Sequence, residues 1–438
     1  MSGFDIGLLM FAATLLLIGL RMPVGIAMLL VGGLGYAAIT GWSPLFATLR
    51  SITFSKFSSY TLSVIPLFLL MGDFATKGGL NRALFNAARA WFGHWRGGLA
   101  VATVGGCAAF GAICGSSLAT AATMSQVAAP EMRRHGYSPA ISTGTLAAGG
   151  TLGILIPPSV ILVIYAIYTE QSIGTLFIAA VIPGIIATVG YMLVVHMYAR
   201  LYPDAAPPAE RLPWRQRLRP TLAVWPVITV FVLVVTGMYA GWFSATEGAA
   251  VGAAATGLLA VTLGGMRWQG LKESLLSTAE TTGLIFLMLL GAELFSAALA
   301  LSRVPAELSA AIAMLDVSPI IILFAILVIY FVLGCFMESM AMVLLTLPIF
   351  VPLMLALDFG LDAQQVLVWF GILVLVSVEV GMISPPFGLN LFVINSLAKD
   401  VPMIETYKGV AGFVVSDIIR IILLTLAPIL SLRLPGLW

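Results

Sequence analysis

The chain has 438 residues, 60% of them hydrophobic and only 9% charged, against about 25% charged in an ordinary soluble domain. Mean hydropathy is +1.07 and formal net charge +2. That excludes a soluble enzyme, which could not hide so much apolar surface, and a disordered chain, which needs low hydrophobicity and high charge. Net charge gives no support for nucleic-acid binding. Three cysteines, Cys107, Cys114 and Cys335, lack CxxC spacing and offer no disulfide framework. Apolar blocks rather than short alternating segments exclude a β-barrel. An all-α polytopic membrane protein remains.

A span crossing ~30 Å of hydrocarbon needs about 20 residues. The stretch Ile6–Leu20 is apolar but follows Asp5 and lacks a positive leader, so it reads as a span and not as a cleavable signal. Spans are expected near 4–21, 22–48 and 61–76, followed by an amphipathic stretch, Lys77–Arg96. An apolar stretch 97–132 is interrupted near 111–117, a span 138–168 is interrupted near 153–159, and 173–200 closes the first half. A basic, Pro-rich connector covers 201–220. The second half repeats the order with 221–241, 243–265, an amphipathic piece 268–280, and 281–300. A short polar helix at 303–314 precedes an interrupted stretch 318–356, an interrupted span 364–397 and a closing span 408–432. The expected domains are therefore 1–200 and 221–438, joined by the linker 201–220. In each, spans (1–96, 221–314) precede a hairpin with a broken helix (97–168, 318–397).

The interruptions match between halves. Gly153-Ile-Leu-Ile-Pro157-Pro158 recurs in the second half as Gly381-Met-Ile-Ser384-Pro385-Pro386. Upstream, Gly111-Ala-Ile-Cys-Gly115-Ser116-Ser117 corresponds to Gly334-Cys-Phe-Met-Glu338-Ser339. The spacing from Ser117 to Pro130 equals that from Ser339 to Pro352. Gly/Pro-interrupted segments at matching places in two halves point to a repeat-built transporter.

If each hairpin returns to its own side, each half crosses five times and the halves are inverted. With the N-terminus outside, 17 of the 21 Lys and Arg fall at inside loops and span ends, Arg420 among them, and four (Arg50, Lys56, Arg303, Arg433) fall outside. The positive-inside rule then puts both termini outside.

A Pro-Pro in mid-span frees carbonyls upstream and opens a helix N-terminus downstream. Such a break is tolerated only where protein or a cavity satisfies the freed groups. Freed carbonyls suit a hard cation; the N-terminal dipole and bare N–H groups suit an anion. Gly115, Ser116 and Ser117 add a turn and hydroxyls. Two tips meeting two breaks would build one polar site with two equivalent ion sites. A single Gly-x-x-x-Pro-Pro reads as a structural kink; two in register behind broken hairpins read as functional. The small-residue run Ala119–Ala122 reads as helix packing.

Glu338 and Glu379 lie at or near breaks, and an ionisable residue at depth is a functional candidate. The bland reading is a cap or an inter-helix bond. Asp73, Glu247 and Glu293 read as structural, near span ends. Asn390 and Thr151 face either the site or a packing contact. His94, His135 and His196 are dispersed, with no metal or triad spacing. The run Arg211–Arg219 reads as contact with membrane lipid phosphates, not with nucleic acid. No Lys follows a Gly, so no Walker A motif exists. An enzyme is the weakest reading, for want of a nucleophile–base pair, and an ion channel needs no paired hairpins.

GAICGSSLATAATMSQVAAPEMRRHGYSPAISTGTLAAGGTLGILIPPSVILVIYAIYTEQSIGTLFIAAVIPG (111–184), GMISPPFGLNLFVI (381–394) and IPLFLLMG (65–72) resemble the large membrane (DctM-type) subunit of TRAP (tripartite ATP-independent periplasmic) transporters. The resemblance spans nearly the whole chain. It implies an inverted two-repeat fold of the ion transporter superfamily, about ten spans plus two re-entrant hairpins, with a scaffold and an elevator transport domain. It implies Na⁺ as coupling ion and no other cofactor. It also implies a periplasmic (DctP-type) binding protein and a small four-span (DctQ-type) subunit. With no room for a fused copy in 438 residues, that subunit is expected as a separate chain. The expected cargo is a small organic acid, such as a C4-dicarboxylate, imported across the bacterial inner membrane. Carried over by position, the first Na⁺ site draws on Ser116, Ser117, Thr151, Gly153 and Pro157. The second draws on Glu338, Ser339, Gly381, Ser384 and Pro385. Substrate would lie among Gly115, Ser116, Ser117, Pro158, Ser159, Ser339, Pro386 and Asn390. The alternative within the same superfamily is a self-sufficient Na⁺/anion symporter.

Overall fold

The computed structural model describes residues 2–314 and 317–437. Met1 and Trp438, on which the expectation for the extreme termini falls, lie outside the described residues. The described residues form helices and no strand. Among the described residues, seven helices are long and apolar enough to cross a membrane, or up to nine if each of two bent pairs is one span. The bent pairs are Trp42–Phe57 with Tyr60–Lys77 (54°) and Trp214–Ala223 with Trp225–Tyr239 (48°). Shorter apolar helices are Gly3–Gly19, Val24–Thr40, Gly98–Cys114 and Pro319–Gly334.

Local chemistry sets many of the boundaries. Ser2 with Asp5, Ser244 with Glu247 and Asp362 with Gln365 form reciprocal capping boxes at three helix starts. The expected span 22–48 instead ends at Thr40, because Gly41 turns the chain at φ +94°. The amphipathic piece 268–280 and the span 281–300 are one 35-residue helix, Trp268–Ser302. No proline interrupts that stretch, and Gly283 meets nothing within 4 Å. The closing span runs Met403–Leu426 rather than 408–432; Pro428 follows and starts a short separate helix, Ile429–Leu432.

Burial separates two classes of helix. The apolar windows of Pro139–Tyr168 and Ala363–Met382 are 89% and 94% buried, whereas those of Ile173–Leu201, Ala245–Thr262, Trp268–Ser302 and Met403–Leu426 are each 39% buried. The interrupted helices thus form the centre and the uninterrupted ones its wall. Val24–Thr40 packs on Trp268–Ser302 through glycines. A Cβ at Gly25 would stand 2.9 Å from the Met288 backbone, and one at Gly32 2.7 Å from Phe295 Cα. Ala245–Thr262 packs on Val64–Lys77 in the same manner, with Gly252 against Met71 and Gly257 against Phe74.

Several basic residues are held in ion pairs. Lys77 pairs with Glu273 (2.5 Å), Arg89 with Glu131 (2.8 Å), Arg133 with Asp400 (2.8 Å) and Lys56 with Glu293 (3.1 Å). Trp91 Nε1 donates to Thr221 Oγ1 (2.8 Å). The connector 201–220 is tied down by backbone bonds. Ala205 and Ala206 carbonyls accept from Ser138 and Gly97, and Ala209 donates to Gly93. Within the basic run, Arg217 departs from the lipid-contact reading. It is buried, donates to the Leu212 carbonyl (2.8 Å) and lies over the Trp214 ring. Arg420 also departs from its expected place at a span end. It is 2% exposed within Met403–Leu426, held by two carboxylates, so it drops out of the 17 basic residues that the charge count expected at inside loops and span ends.

Candidate functional site

The first hairpin comprises Gly98–Cys114 and Ser117–Arg134, and the second Pro319–Gly334 and Ser339–Ala356. The first broken helix is Pro139–Leu155 then Val160–Tyr168, and the second Ala363–Met382 then Leu389–Leu397. All four interruptions fall where the small, polar and proline residues stand. Each hairpin's first arm meets its broken helix glycine on glycine. A Cβ at Gly111 would lie 2.6 Å from Gly153 Cα, and one at Gly381 would lie 2.6 Å from Gly334 Cα. Only glycine allows backbones to approach so closely.

The two tips converge. Ser117 Oγ lies 3.5 Å and Ser339 Oγ 2.8 Å from the same Met382 sulfur. Ser117, Ser339 and Met382 are all buried. Both serines open the second arm of their hairpin, so two helix N-termini face this meeting place, where partial positive charge accumulates.

At the first break, Gly115 takes φ +64° and packs against the Pro158 carbonyl. Ser116 caps Ser117–Arg134 by accepting from Ala119 N (3.4 Å). A Cβ at Gly153 would lie 2.7 Å from the Ser116 carbonyl and would collide with Thr120 Oγ1. That hydroxyl is buried without a hydrogen-bond partner among the described residues. Thr120 thus stands out from the small-residue run read as packing. Hydroxyl and carbonyl oxygens are hard donors of the kind that suit hard cations. No group of three His, Cys, Asp or Glu that could hold a transition metal occurs among the described residues. Pro157 and Pro158 are buried, and Ser159 caps Val160–Tyr168 through Leu162 N (3.4 Å). Thr151 turns elsewhere: its one hydroxyl proton is shared between the Ala148 carbonyl (2.8 Å) and Tyr191 Oη (3.1 Å).

The second break differs. Glu338 Oε2 accepts from Met340 N and Ala341 N (both 3.1 Å), so this carboxylate caps its own helix. Met342 faces the Gly334–Gly381 contact, at the position in the second repeat that Thr120 holds in the first. Ser384 is buried and donates back to the Val380 carbonyl (2.6 Å). Pro385, Pro386 and Phe387 are exposed, whereas Pro157 to Ser159 are not. The Pro386 carbonyl accepts from Tyr407 (2.7 Å). Asn390 does not reach the tips. Its Nδ2 donates to the Ala147 carbonyl of the first broken helix (3.1 Å), and its Oδ1 is buried without a partner.

Glu379 and Arg420 form a buried ion pair (2.8 Å). Asp417 lies 3.0 Å from the same guanidinium nitrogen and accepts from Tyr191 Oη (2.7 Å). The sequence marks Glu379 as a candidate but not its partners, which lie on the two closing spans. Glu247 and Glu293 stay peripheral as expected: Glu247 sits in its capping box and Glu293 pairs with Lys56. Asp73 does not: its Oδ2 is buried without a partner among the described residues, and the adjoining Gly72 packs on the Cys114 backbone at the end of the first hairpin arm.

Comparison with known proteins bears on this arrangement. The family model of the tripartite ATP-independent periplasmic transporter, DctM component, matches residues 10–430. The C4-dicarboxylate TRAP transporter large permease protein DctM of Pseudomonas aeruginosa is 36% identical over 394 residues, covering 89% of this chain and 90% of that protein. The ectoine TRAP transporter large permease protein TeaC of Halomonas elongata is 32% identical over 97% of each chain. Among solved structures, the YdaH transporter of Alcanivorax borkumensis superposes with TM-score 0.63 at 14% identity, over 88% of each chain. That likeness concerns the fold alone.

Proposed function

The chain belongs to the DctM family, the large permease component of TRAP transporters, and from that premise we propose that it imports a small organic acid driven by Na⁺. C4-dicarboxylates and related carboxylates are the cargo we favour, since the Pseudomonas aeruginosa relative named for C4-dicarboxylate transport is 36% identical to this chain, against 32% for the ectoine relative. The carrying observation is the convergence of Ser117 and Ser339 on Met382, beside both Gly-to-Pro-Pro breaks. The N-terminus of Ser117–Arg134, capped only by a hydroxyl, favours a carboxylate at this point, whereas that of Ser339–Ala356 already carries Glu338. Ser116, Thr120 and Gly153 offer the oxygen-rich surroundings of a first Na⁺ site; Glu338, Ser339 and Gly381 flank a second.

In this reading the chain is two inverted repeats, 1–200 and 221–438, in the bacterial inner membrane with both termini periplasmic. Residues 97–168 and 318–397 move together as an elevator against the remaining spans. The substrate arrives on a DctP-type periplasmic binding protein, and a DctQ-type subunit steadies the scaffold. No step uses covalent chemistry, so the protein is not an enzyme.

The test is Na⁺-driven uptake of a labelled C4-dicarboxylate into proteoliposomes holding this chain with both partners. Ser117→Phe puts a ring where Met382 already lies 3.5 Å away. It should abolish uptake while leaving a folded, monodisperse protein. Undiminished uptake would sink the site assignment. Uptake by this chain without partners would instead favour a self-sufficient symporter.

A further inference from the structure

The buried polar groups that the transport site does not use form one continuous chain. Thr151 Oγ1 shares its one proton between the Ala148 carbonyl (2.8 Å) and Tyr191 Oη (3.1 Å), and Tyr191 in turn donates to Asp417 at 2.7 Å. Arg420 then joins Asp417 (3.0 Å) to Glu379 (2.8 Å). All five residues are essentially inaccessible to solvent. Their placement follows the sequence repeat. Thr151 stands two residues before Gly153 and Glu379 two residues before Gly381, so the two occupy equivalent positions of the repeat. Tyr191 lies on the first closing span, Ile173–Leu201, and Asp417 and Arg420 on the second, Met403–Leu426. The chain therefore begins one helical turn before one break and ends one turn before the other.

We infer that Thr151, Tyr191, Asp417, Arg420 and Glu379 are positioning residues that couple the two candidate ion sites energetically. This rests on the two-site Na⁺ reading above and deepens it. Burying three charges is costly, and a purely structural staple is often matched by apolar packing. The network also keeps unused capacity: Arg420 Nε and Nη1 and Glu379 Oε1 are buried without hydrogen-bond partners among the described residues. Spare donors beside a spare acceptor allow a second pairing within reach, and coupling between sites needs an element with two arrangements. An ion that draws carbonyls inward at one break shifts the helix turn carrying Thr151 or Glu379. The shift re-pairs the guanidinium and changes the other break's geometry.

Tyr191→Phe tests this. It removes the one hydroxyl that bridges Thr151 and Asp417 and keeps the ring packed on Phe413, 5.3 Å away edge to face. Equilibrium Na⁺ binding to the purified protein is measured against Na⁺ concentration, beside uptake with both partners present and thermal unfolding. Coupled sites give the wild type a Hill coefficient near 2. The variant should fall to about 1, with half-saturating Na⁺ raised at least about fivefold, the lower end of ordinary coupling. Thr151→Val, which removes one hydroxyl at constant shape, should move the same two quantities in the same direction, and it decides the matter where Tyr191→Phe does not fold. A lowered melting temperature with an unchanged Na⁺ curve overturns the coupling and leaves the ion sites standing. A hyperbolic wild-type curve also overturns it. Uptake independent of Na⁺ in the wild type overturns the ion reading itself.

Discussion

The glycine-on-glycine contact at the second break makes a quantitative demand. Adding one methyl at Gly381 places a carbon 2.6 Å from both Gly334 Cα and its carbonyl carbon, and 2.9 Å from the Phe331 carbonyl oxygen. All three are backbone atoms, so no flexible side chain can swing aside. Restoring an ordinary 3.4 Å contact means parting the hairpin arm from the broken helix by about 0.8 Å. Overpacking of this kind typically destabilises by about 1–3 kcal/mol. The functional loss should be larger than the stability loss suggests. Met382 rides on one of the separated elements and Ser339 opens the arm that follows the other, and a misplacement of about 1 Å at a bound centre can lower a rate by about 100-fold. Gly381→Ala is therefore expected to fold with a reduced melting temperature and to lose about 10- to 100-fold in Na⁺-driven uptake. Gly111→Ala, with its 2.6 Å approach to Gly153 Cα, should behave alike. Gly283→Ala is the control: it lies inside Trp268–Ser302 with nothing within 4 Å of the added carbon. There the substitution should be neutral or stabilise by up to about 1 kcal/mol. The readouts are thermal unfolding in detergent and initial uptake in proteoliposomes with both partners. If Gly381→Ala matches Gly283→Ala in both, close backbone approach does not position the site.

Three further outcomes are expected. Arg420→Ala leaves Glu379 and Asp417 buried without their cation, and breaking a buried pair typically costs about 3–5 kcal/mol. Its yield of folded protein should collapse, and apolar replacement of all three residues together should recover yield but not normal Na⁺ dependence. Lys77→Ala removes an ion pair that is more than a third exposed on both sides, so unfolding should shift by at most about 1 kcal/mol; a larger loss would show that this contact is not a surface pair. In right-side-out vesicles of a cysteine-free background, Glu210→Cys in the connector should resist an impermeant maleimide until the membrane is opened, whereas Arg433→Cys should react at once. The reverse pattern would invert the proposed topology.

The breaks are legible in the sequence because each depends on residue types whose backbone behaviour is local. Gly115 must reach φ +64°, and two adjacent prolines cannot continue a helix wherever they stand. The polar exceptions inside an apolar chain therefore locate both hairpin tips and both interruptions. What the exceptions do once folded is less legible. Glu338 reads as an ion ligand from its position, but the two amides that follow Ser339 N claim one carboxylate oxygen as a cap. Met382 is apolar and carries no signal of its own; only folding sets its sulfur between two serines from opposite halves of the sequence. Thr120 is hidden among alanines, which mark close packing whether or not a hydroxyl is left unpaired there. Arg420 misleads for a more general reason. Counting charges by side assumes that every basic residue lies at a helix end in contact with water or headgroups. A guanidinium with two carboxylates beside it satisfies the membrane differently, and here one carboxylate comes from the same helix and the other from a different one. A positive charge in mid-span is tolerated only where acids arrive to meet it. Arg420 is thus informative about tertiary structure: its depth within Met403–Leu426 requires that Ala363–Met382 pack beside that span. Glu379, one helical turn before the second break, is where the two elements join.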